Sequence, residues 1–219
     1  MVRDQASELT VASLRQLLAF VIVAALAVSL WMLTASEPSA VREAGFWFED
    51  VAFASARLGG PLTPADVAVI DRVARLELAR AFDGLQLTVS SRRAARYRLV
   101  VVQELRDLRF RRPVGVAGAS RAVPGLGGRG AVSFDFLANG AVANAPAGAS
   151  RGAIVDAIGR GIGRAAVHEL THQLLPKVPI HDTRDVASYE FSSAARREQY
   201  YGDMHWDVAR PLLLAQEGR

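Results

Sequence analysis

Cysteine is absent from this chain of 219 residues. Its absence excludes disulfide bonds, thiolate metal ligands and a cysteine nucleophile. It leaves the redox compartment undetermined, because a domain without cysteine is compatible with the cytosol and with the cell exterior. A folded unit of roughly 150–180 residues is nevertheless large enough to be stable without such cross-links.

Lysine is nearly absent as well. Lys177 is the single lysine, so arginine carries almost all of the positive charge in a chain of formal net charge +4. The arginines are densest at 92–98 and 106–112, but along the chain they are interleaved with Asp and Glu and form no continuous basic stripe. We therefore expect no nucleic-acid partner.

Charged residues are also missing from the segment 17–35. Its length is close to the roughly 20 apolar residues that cross a bilayer as a helix. Arg15 precedes it, and Trp31 near its far end is typical of a membrane interface. We predict a cytoplasmic N-terminal tail over 1–16, a single transmembrane anchor over 17–35, and an extracytoplasmic position for the rest. The alternative is a cleaved signal peptide and a secreted protein, although such peptides have an apolar core of only about 7–15 residues.

Proline and glycine predict a linker over 36–62, in which the aromatic stretch Phe46–Phe48 forms one docking patch. A folded domain is then expected over 63–219. Thr63 is a suitable N-cap and Pro64 a suitable first-turn residue, so a helix should begin there and end near Phe82.

The middle of the domain alternates between strand patterns and small-residue segments. The glycine-rich stretch 115–130 has no phosphate-loop spacing and predicts a mobile loop, and 139–148 predicts a further connection. Apolar alternation or a continuous apolar run predicts strands at 85–89, 97–102 and 131–136.

The C-terminal half is predicted to be mainly helical. Ser150 can cap a long helix that Pro176 ends near Leu175. Shorter helices are expected at 194–201 and 208–214. Helices and strands in this order indicate the α+β class.

The chemistry is concentrated in His168-Glu169-Leu170-Thr171-His172, an HExxH pattern in the last turns of the long helix. Positions i and i+4 project from one helix face, so both imidazoles can reach one ion about 2 Å from each ring nitrogen. Glu169 points off that axis, towards a water that the metal would activate. The chain has four histidines, which makes a chance match improbable. We predict a Zn²⁺ site with His168 and His172 as ligands and Glu169 as general base.

Catalytic zinc usually has a third protein ligand. His181, which follows the motif after two prolines, is the first choice. Glu190, at the start of the next apparent helix, is the alternative. Glu198 and His205 are more distant candidates.

These features resemble the zincin metallopeptidases and, among them, the metzincins and matrixin-like enzymes. The resemblance extends from about Thr63 to Tyr201 and includes the first helix, the strands, the HELTH helix and the following His181. It implies a zincin-like fold: a small mixed sheet with an edge strand over the cleft, a long active-site helix and C-terminal helices. In that group a peptide substrate adds to the edge strand, whose equivalent here is predicted to be 131–136.

The chain departs from the metzincin pattern HExxHxxGxxH. Leu175 stands in place of the glycine, and His181 comes three residues late. Tyr189 occupies the position of the methionine in the turn beneath the metal. The subclass therefore stays open, and a gluzincin-type site would use Glu190 as the third ligand.

The expected function is that of a membrane-anchored zinc metalloendopeptidase acting on peptide or protein substrates. Two alternatives belong to other classes. One is a non-catalytic membrane-anchored module with a structural zinc, closed by Glu190 or His205 as a fourth ligand. The other is a zincin-fold hydrolase of non-peptide amides, which would use the same residues.

Overall fold

A mixed five-stranded sheet and five helices form the part of the protein that the structure describes. This computed structural model describes residues 41–106, 113, 115–123, 127–177, 180–181, 183–191 and 193–217. The α+β class predicted from the sequence is confirmed. No helix among these residues is both long and apolar enough to span a membrane. The predicted tail and anchor, 1–35, lie outside them.

The strands and helices are numbered in chain order. The strands are β1 (Arg42–Phe48), β2 (Ala54–Ser55), β3 (Gly60–Pro61), β4 (Leu87–Ser90), β5 (Tyr97–Val102), β6 (Gly118–Val123) and β7 (Gly127–Ser133). The helices are α1 (Pro64–Ala81), α2 (Phe134–Ala143), α3 (Arg151–Leu174), α4 (Glu198–Tyr201) and α5 (Ala209–Glu217). The sheet order is β4-β1-β5-β7-β6, with β6 antiparallel to β7 and all other neighbours parallel. The short strands β2 and β3 pair separately.

Strand β1 lies inside the sheet, between β4 and β5. The sequence predicts a linker over 36–62 instead, so the structure differs at 42–48. Phe46, expected in a docking patch, is fully buried in the core, and the guanidinium of Arg75 lies 5.3 Å from its ring centroid. Pairing on both sides stabilises this strand. Both partners come from later in the chain, and local sequence does not reveal them.

The predicted start of α1 is confirmed. The hydroxyl of Thr63 accepts a hydrogen bond from the backbone N–H of Asp66 at 3.2 Å, and the Asp66 carboxylate accepts one from the N–H of Thr63 at 2.8 Å. Pro64 occupies the first turn. This reciprocal capping satisfies backbone donors that a helix start leaves free. Asp66 also accepts a hydrogen bond from Arg151 at 2.7 Å, which joins the starts of α1 and α3.

The glycine-rich stretch 115–130 is not a loop throughout, because it contains β6 and the start of β7. The predicted strand at 131–136 is wrong at both ends: β7 begins at Gly127 and stops at Ser133. The edge strand on this side of the sheet is therefore β6, not 131–136, and β4 forms the opposite edge. Backbone hydrogen bonds between β6 and β7 stabilise both strands, although their small side chains do not predict strands.

Helix α2 ends at Ala143 and so replaces the first half of the connection predicted at 139–148. Its buried residues are Phe134, Leu137, Ala138 and Ala141. They follow the i, i+3, i+4, i+7 spacing of a helix that buries one face. The alternation of Val132, Phe134 and Phe136 is typical of a strand and led to the wrong prediction. The helical spacing of the apolar residues extends further along the chain, to Ala141.

Helix α3 begins and ends where predicted. The Ser150 hydroxyl accepts a hydrogen bond from the N–H of Ala153 at 3.2 Å, and the helix stops at Leu174, before Pro176. Most of it is buried against α1 and the sheet. A Cβ at Gly163 would lie 2.7 Å from the carbonyl oxygen of Ala74 in α1. Only glycine therefore allows the two helices to approach this closely.

The C-terminal helices are shifted from their predicted positions. Only 198–201 is helical within the predicted segment 194–201, and α5 replaces the predicted helix at 208–214. Tyr200 in α4 is fully buried, and its hydroxyl donates a hydrogen bond to the carbonyl of Ala194 at 3.1 Å. The tyrosine side chain therefore holds the non-helical segment 194–197 in place.

A buried ion pair joins α1, α3 and α4. The Nε of Arg164 lies 3.3 Å from a carboxylate oxygen of Glu77, and both side chains are buried. Arg164 also donates hydrogen bonds to the backbone carbonyls of Glu198 and Gly202, at 2.6 and 2.9 Å. The guanidinium is therefore well supplied with acceptors, as a buried charge has to be.

We predict that Glu77→Ala lowers the free energy of unfolding by about 3–5 kcal/mol, because it leaves the buried charge of Arg164 without its partner. The matched control is Glu43→Ala, which breaks an ion pair with Arg92, whose side chain is 66% exposed. That change should cost less than about 1 kcal/mol. Equilibrium unfolding in urea measures both. Similar losses for the two variants would contradict the role given to the buried pair.

Candidate metal centre

His168, His172 and His181 lie together. The ring centroids of each pair are 4.8 Å apart. One nitrogen from each ring lies within 4.8 Å of the other two, and the Nε2 atoms of His172 and His181 are 3.0 Å apart. A tetrahedral ion about 2 Å from each ligand needs nitrogens roughly 3.3 Å apart. The three histidines predicted from the sequence could therefore hold a metal ion.

His181 reaches the cluster because the chain turns back after α3. The helix ends at Leu174, and Pro176 lacks the N–H that would continue it. Beyond the turn, Ile180 is buried in the core while its neighbour His181 is exposed. The burial of Ile180 in the core therefore fixes the segment that carries His181.

Tyr189 orients His168. Its backbone carbonyl lies 3.2 Å from Nδ1 of His168, so this nitrogen donates a proton to the carbonyl and Nε2 is left for a metal. The Tyr189 hydroxyl lies 3.4 Å from Glu77, and its ring contacts Trp206. Burial, together with the nearby charge of Glu77, raises the pKa of Tyr189 to about 12. In the sequence, Tyr189 was notable only because it stands where metzincins have a methionine. Its role in orienting His168 was not predicted.

The imidazoles of His168 and His172 are held in the neutral form, which is the form that binds a metal. Burial, followed by repulsion from His172 and His181, lowers the pKa of His168 to about 3. Burial and the neighbouring His181 also lower the pKa of His172. At neutral pH these two rings therefore present free nitrogen lone pairs without having to lose a proton.

Glu169 is buried beside the histidines, against the edge strand β6. A Cβ at Gly118 would lie only 2.6 Å from Oε1 of Glu169, so the carboxylate needs glycine at that position. The hydroxyl of Ser120 donates a hydrogen bond to the backbone carbonyl of Glu169 at 3.0 Å. Burial raises the pKa of the Glu169 carboxyl to about 7, against a smaller lowering by Ser120. A group with this pKa can accept and release a proton near neutral pH.

Glu190, the alternative third ligand, is used elsewhere. Its buried carboxylate accepts hydrogen bonds from the backbone N–H groups of Asp207, Val208 and Ala209, at 3.0, 2.8 and 2.6 Å, and from the hydroxyl of Ser188. Burial alone would raise the pKa of Glu190, but these hydrogen bonds lower it overall. The residue therefore caps the N-terminus of α5 as a carboxylate.

The two other candidates also lie outside the cluster. Nε2 of His205 is 2.9 Å from a carboxylate oxygen of Asp185, and both side chains are exposed. Glu198 begins α4, where its backbone carbonyl accepts a hydrogen bond from Arg164. Among the described residues, the metal-ligating types that come together are the three histidines.

A cleft of about 780 Å³ contains the three histidines and Glu169. The rest of its lining comes from 115–122, Phe136, Pro176 and 193–195. Segment 115–122 includes most of β6, which pairs only with β7 among the described strands, so one side of the cleft is an edge of the sheet. The residues of 115–122 that line the cleft are mostly Gly, Ala and Ser, and their small size leaves room for an extended chain as ligand.

We predict that His168→Ala, His172→Ala and His181→Ala each weaken divalent-metal binding by at least about tenfold, because each removes one ligand of the cluster. His205→Ala is the matched control and should bind as the wild type does. Metal content after dialysis, together with titration calorimetry using Zn²⁺, measures this. Unchanged affinity in the three cluster variants would contradict the site, and a loss for His205→Ala would assign that residue to it.

A second prediction concerns the ionisation of Glu169. In the metal-free protein its carboxyl should titrate near pH 7, and a bound divalent ion should lower this pKa, because a nearby cation favours the carboxylate. Carbon-13 NMR of labelled glutamate, assigned with Glu169→Gln, measures it. Glu190, whose pKa is lowered, is the internal comparison. Titration of Glu169 in the ordinary range near 4.5 would contradict its burial.

Comparison with known proteins gives no relative. No family model matches the chain, and no curated protein or solved structure matches it either. A function for this protein therefore has to be argued from the residues of the cleft.

Proposed function

We propose that the protein is a zinc-dependent metallopeptidase of the zincin type. Its ligands are His168, His172 and His181, and its general base is Glu169. One observation carries the proposal: the three histidines converge in a cleft beside a sheet edge, with the buried carboxyl of Glu169 next to them. The resemblance of His168–His172 to the HExxH motif of zincins agrees with this arrangement.

The ligand set favours zinc. Three imidazoles suit a borderline-soft ion, and zinc accepts tetrahedral nitrogen sites readily. Three protein ligands leave one coordination position for water, the arrangement typical of catalytic rather than structural zinc. The fourth ligands that a structural site would need, Glu190 and His205, are engaged with α5 and with Asp185. We therefore favour the catalytic function over the structural alternative.

The residues of the chain would divide the reaction between them. A bound zinc ion supplies polarisation of the scissile carbonyl and a lowered pKa for the attacking water. The carboxylate of Glu169 would accept a proton from the attacking water as the water oxygen bonds to the carbonyl carbon. Glu169 would then deliver that proton to the amide nitrogen as the C–N bond breaks. The carbonyl of Tyr189 keeps His168 oriented throughout.

The free edge of β6 is the proposed binding surface for substrate. An unpaired edge strand presents backbone N–H and C=O groups, to which an extended peptide can add as a further strand. Glu169 packs against Gly118 of this strand, so a peptide paired with β6 would pass the proposed catalytic groups. A small amide without an extended backbone would use little of this edge. We therefore favour a peptide over a non-peptide amide.

The protein is proposed to act at a membrane, anchored through 17–35, with the cleft on the extracytoplasmic side. The support is the uncharged apolar run in the sequence. The secreted form, produced by cleavage after that run, is the alternative. The chemistry proposed for the cleft is the same in both cases.

The test of the function is Glu169→Gln in the full-length protein. The variant should retain zinc but lose hydrolysis by about 10²–10⁴-fold, because an amide cannot accept the proton. The matched control, Glu198→Gln, makes the same change at a carboxylate outside the cluster and should keep full activity. Cleavage of a mixed peptide library, followed by mass spectrometry with and without a chelator, measures this.

Two results would overturn the proposal. If the zinc-loaded wild type cleaves no peptide, the site is not that of a peptidase. If Glu169→Gln cleaves as fast as the wild type, Glu169 is not the general base.

A further inference from the structure

Arg121 is the only charged side chain lining the cleft, within the described parts of the chain, apart from the proposed ligands and general base. It lies on the edge strand β6 and is exposed. Its neighbours on that strand, Ala119, Ser120 and Ala122, are small. A substrate along this edge would therefore meet one prominent charge, and that charge is positive.

Within the part of the chain that the structure describes, this charge has no partner of opposite sign. Arg121 is in register with Arg129 on β7, which is in register with Arg98 on β5. Like charges directly opposite each other on neighbouring strands are unfavourable. Among the described carboxylates, none forms an ion pair with Arg121 or Arg129. The three arginines therefore place positive charges side by side across β5, β7 and the edge strand β6.

The distance to the chemistry follows from strand geometry. Glu169 packs at Gly118, and Arg121 is three positions further along β6, about 10 Å away at 3.3 Å per residue. Alternation places the side chains of Gly118 and Ser120 on one face of the sheet and that of Arg121 on the other. In a peptide added to β6, the residue opposite Arg121 would direct its side chain to the same face, with Cβ atoms about 5 Å apart.

We propose that Arg121 selects substrates carrying Asp or Glu about three residues from the bond that is cut. The inference rests on the proposed peptidase function and adds a substrate class to it. A substrate carboxylate at that position would form an ion pair with Arg121. Arg121 is in this sense a specificity-determining residue and takes no part in the bond-breaking step.

The experiment scans a single Glu through each position on both sides of the cleaved bond in a peptide that is otherwise uncharged. Gln and Lys replace it in parallel peptides, and kcat/KM is measured with the full-length, zinc-loaded protein. At one position about three residues from the bond, the wild type should prefer Glu over Gln by about two- to fivefold, the range of an exposed cross-strand ion pair. Raised salt should reduce this preference.

The variants test whether Arg121 is the cause. Arg121→Gln should abolish the preference, so that the Glu and Gln peptides are cleaved with equal kcat/KM, and Arg121→Glu should reverse it in favour of Lys. Arg129→Gln is the matched control. It removes the same charge one strand further from the substrate and outside the cleft, so the preference for Glu should persist. Loss of Arg121 also removes a like-charge contact, so we expect the variant to fold, with its zinc content as the check.

The outcomes separate this inference from the function on which it rests. Cleavage without preference for Glu at any position overturns the role of Arg121 and leaves the peptidase intact. If the Arg121→Gln variant still prefers Glu, the role of Arg121 is likewise overturned and the peptidase function stands. If no peptide is cleaved at all, both the role of Arg121 and the peptidase function are overturned.

Discussion

The buried contact between Arg164 and Glu77 connects the core of the protein to its candidate site. Arg164 belongs to α3, Glu77 belongs to α1, and the hydroxyl of Tyr189 lies 3.4 Å from the same carboxylate. The backbone carbonyl of Tyr189 in turn holds the ring of His168. A charge in the core is costly to bury without partners. This network therefore constrains the relative positions of two helices and of the loop beneath the histidines.

Burial also explains the ionisation of the site. It lowers the pKa of His168 and His172, so that both imidazoles favour the neutral form, and it raises the pKa of the Glu169 carboxyl to about 7. Burial shifts the pKa of a histidine down and that of a carboxyl group up because it disfavours the charged form of each. The absence of a side chain at Gly118 allows this degree of burial next to the sheet edge. Packing is thus the main cause of the ionisation of the proposed ligands His168 and His172 and of the proposed base Glu169.

Local patterns in the sequence predicted the elements whose causes are local. The capping residues Thr63 and Ser150 located the two long helices, and the spacing of the histidines located the cluster. The elements that were missed depend on distant partners. Strand β1 looked like a linker because its stability comes from β4 and β5, and β6 looked like a loop because pairing with β7 compensates for its small side chains. The contribution of Tyr189 is made by a backbone carbonyl, and such a role has no side-chain signature.

The carboxylate of Glu190 has a consequence for the C-terminal end of the protein. It accepts hydrogen bonds from the first N–H groups of α5, and it directly follows Tyr189, whose carbonyl holds His168. Two neighbouring residues thus contact the histidine cluster on one side and the last helix on the other. The orientation of His168 and the start of α5 therefore depend on the same short segment, although α5 contributes no side chain to the cluster.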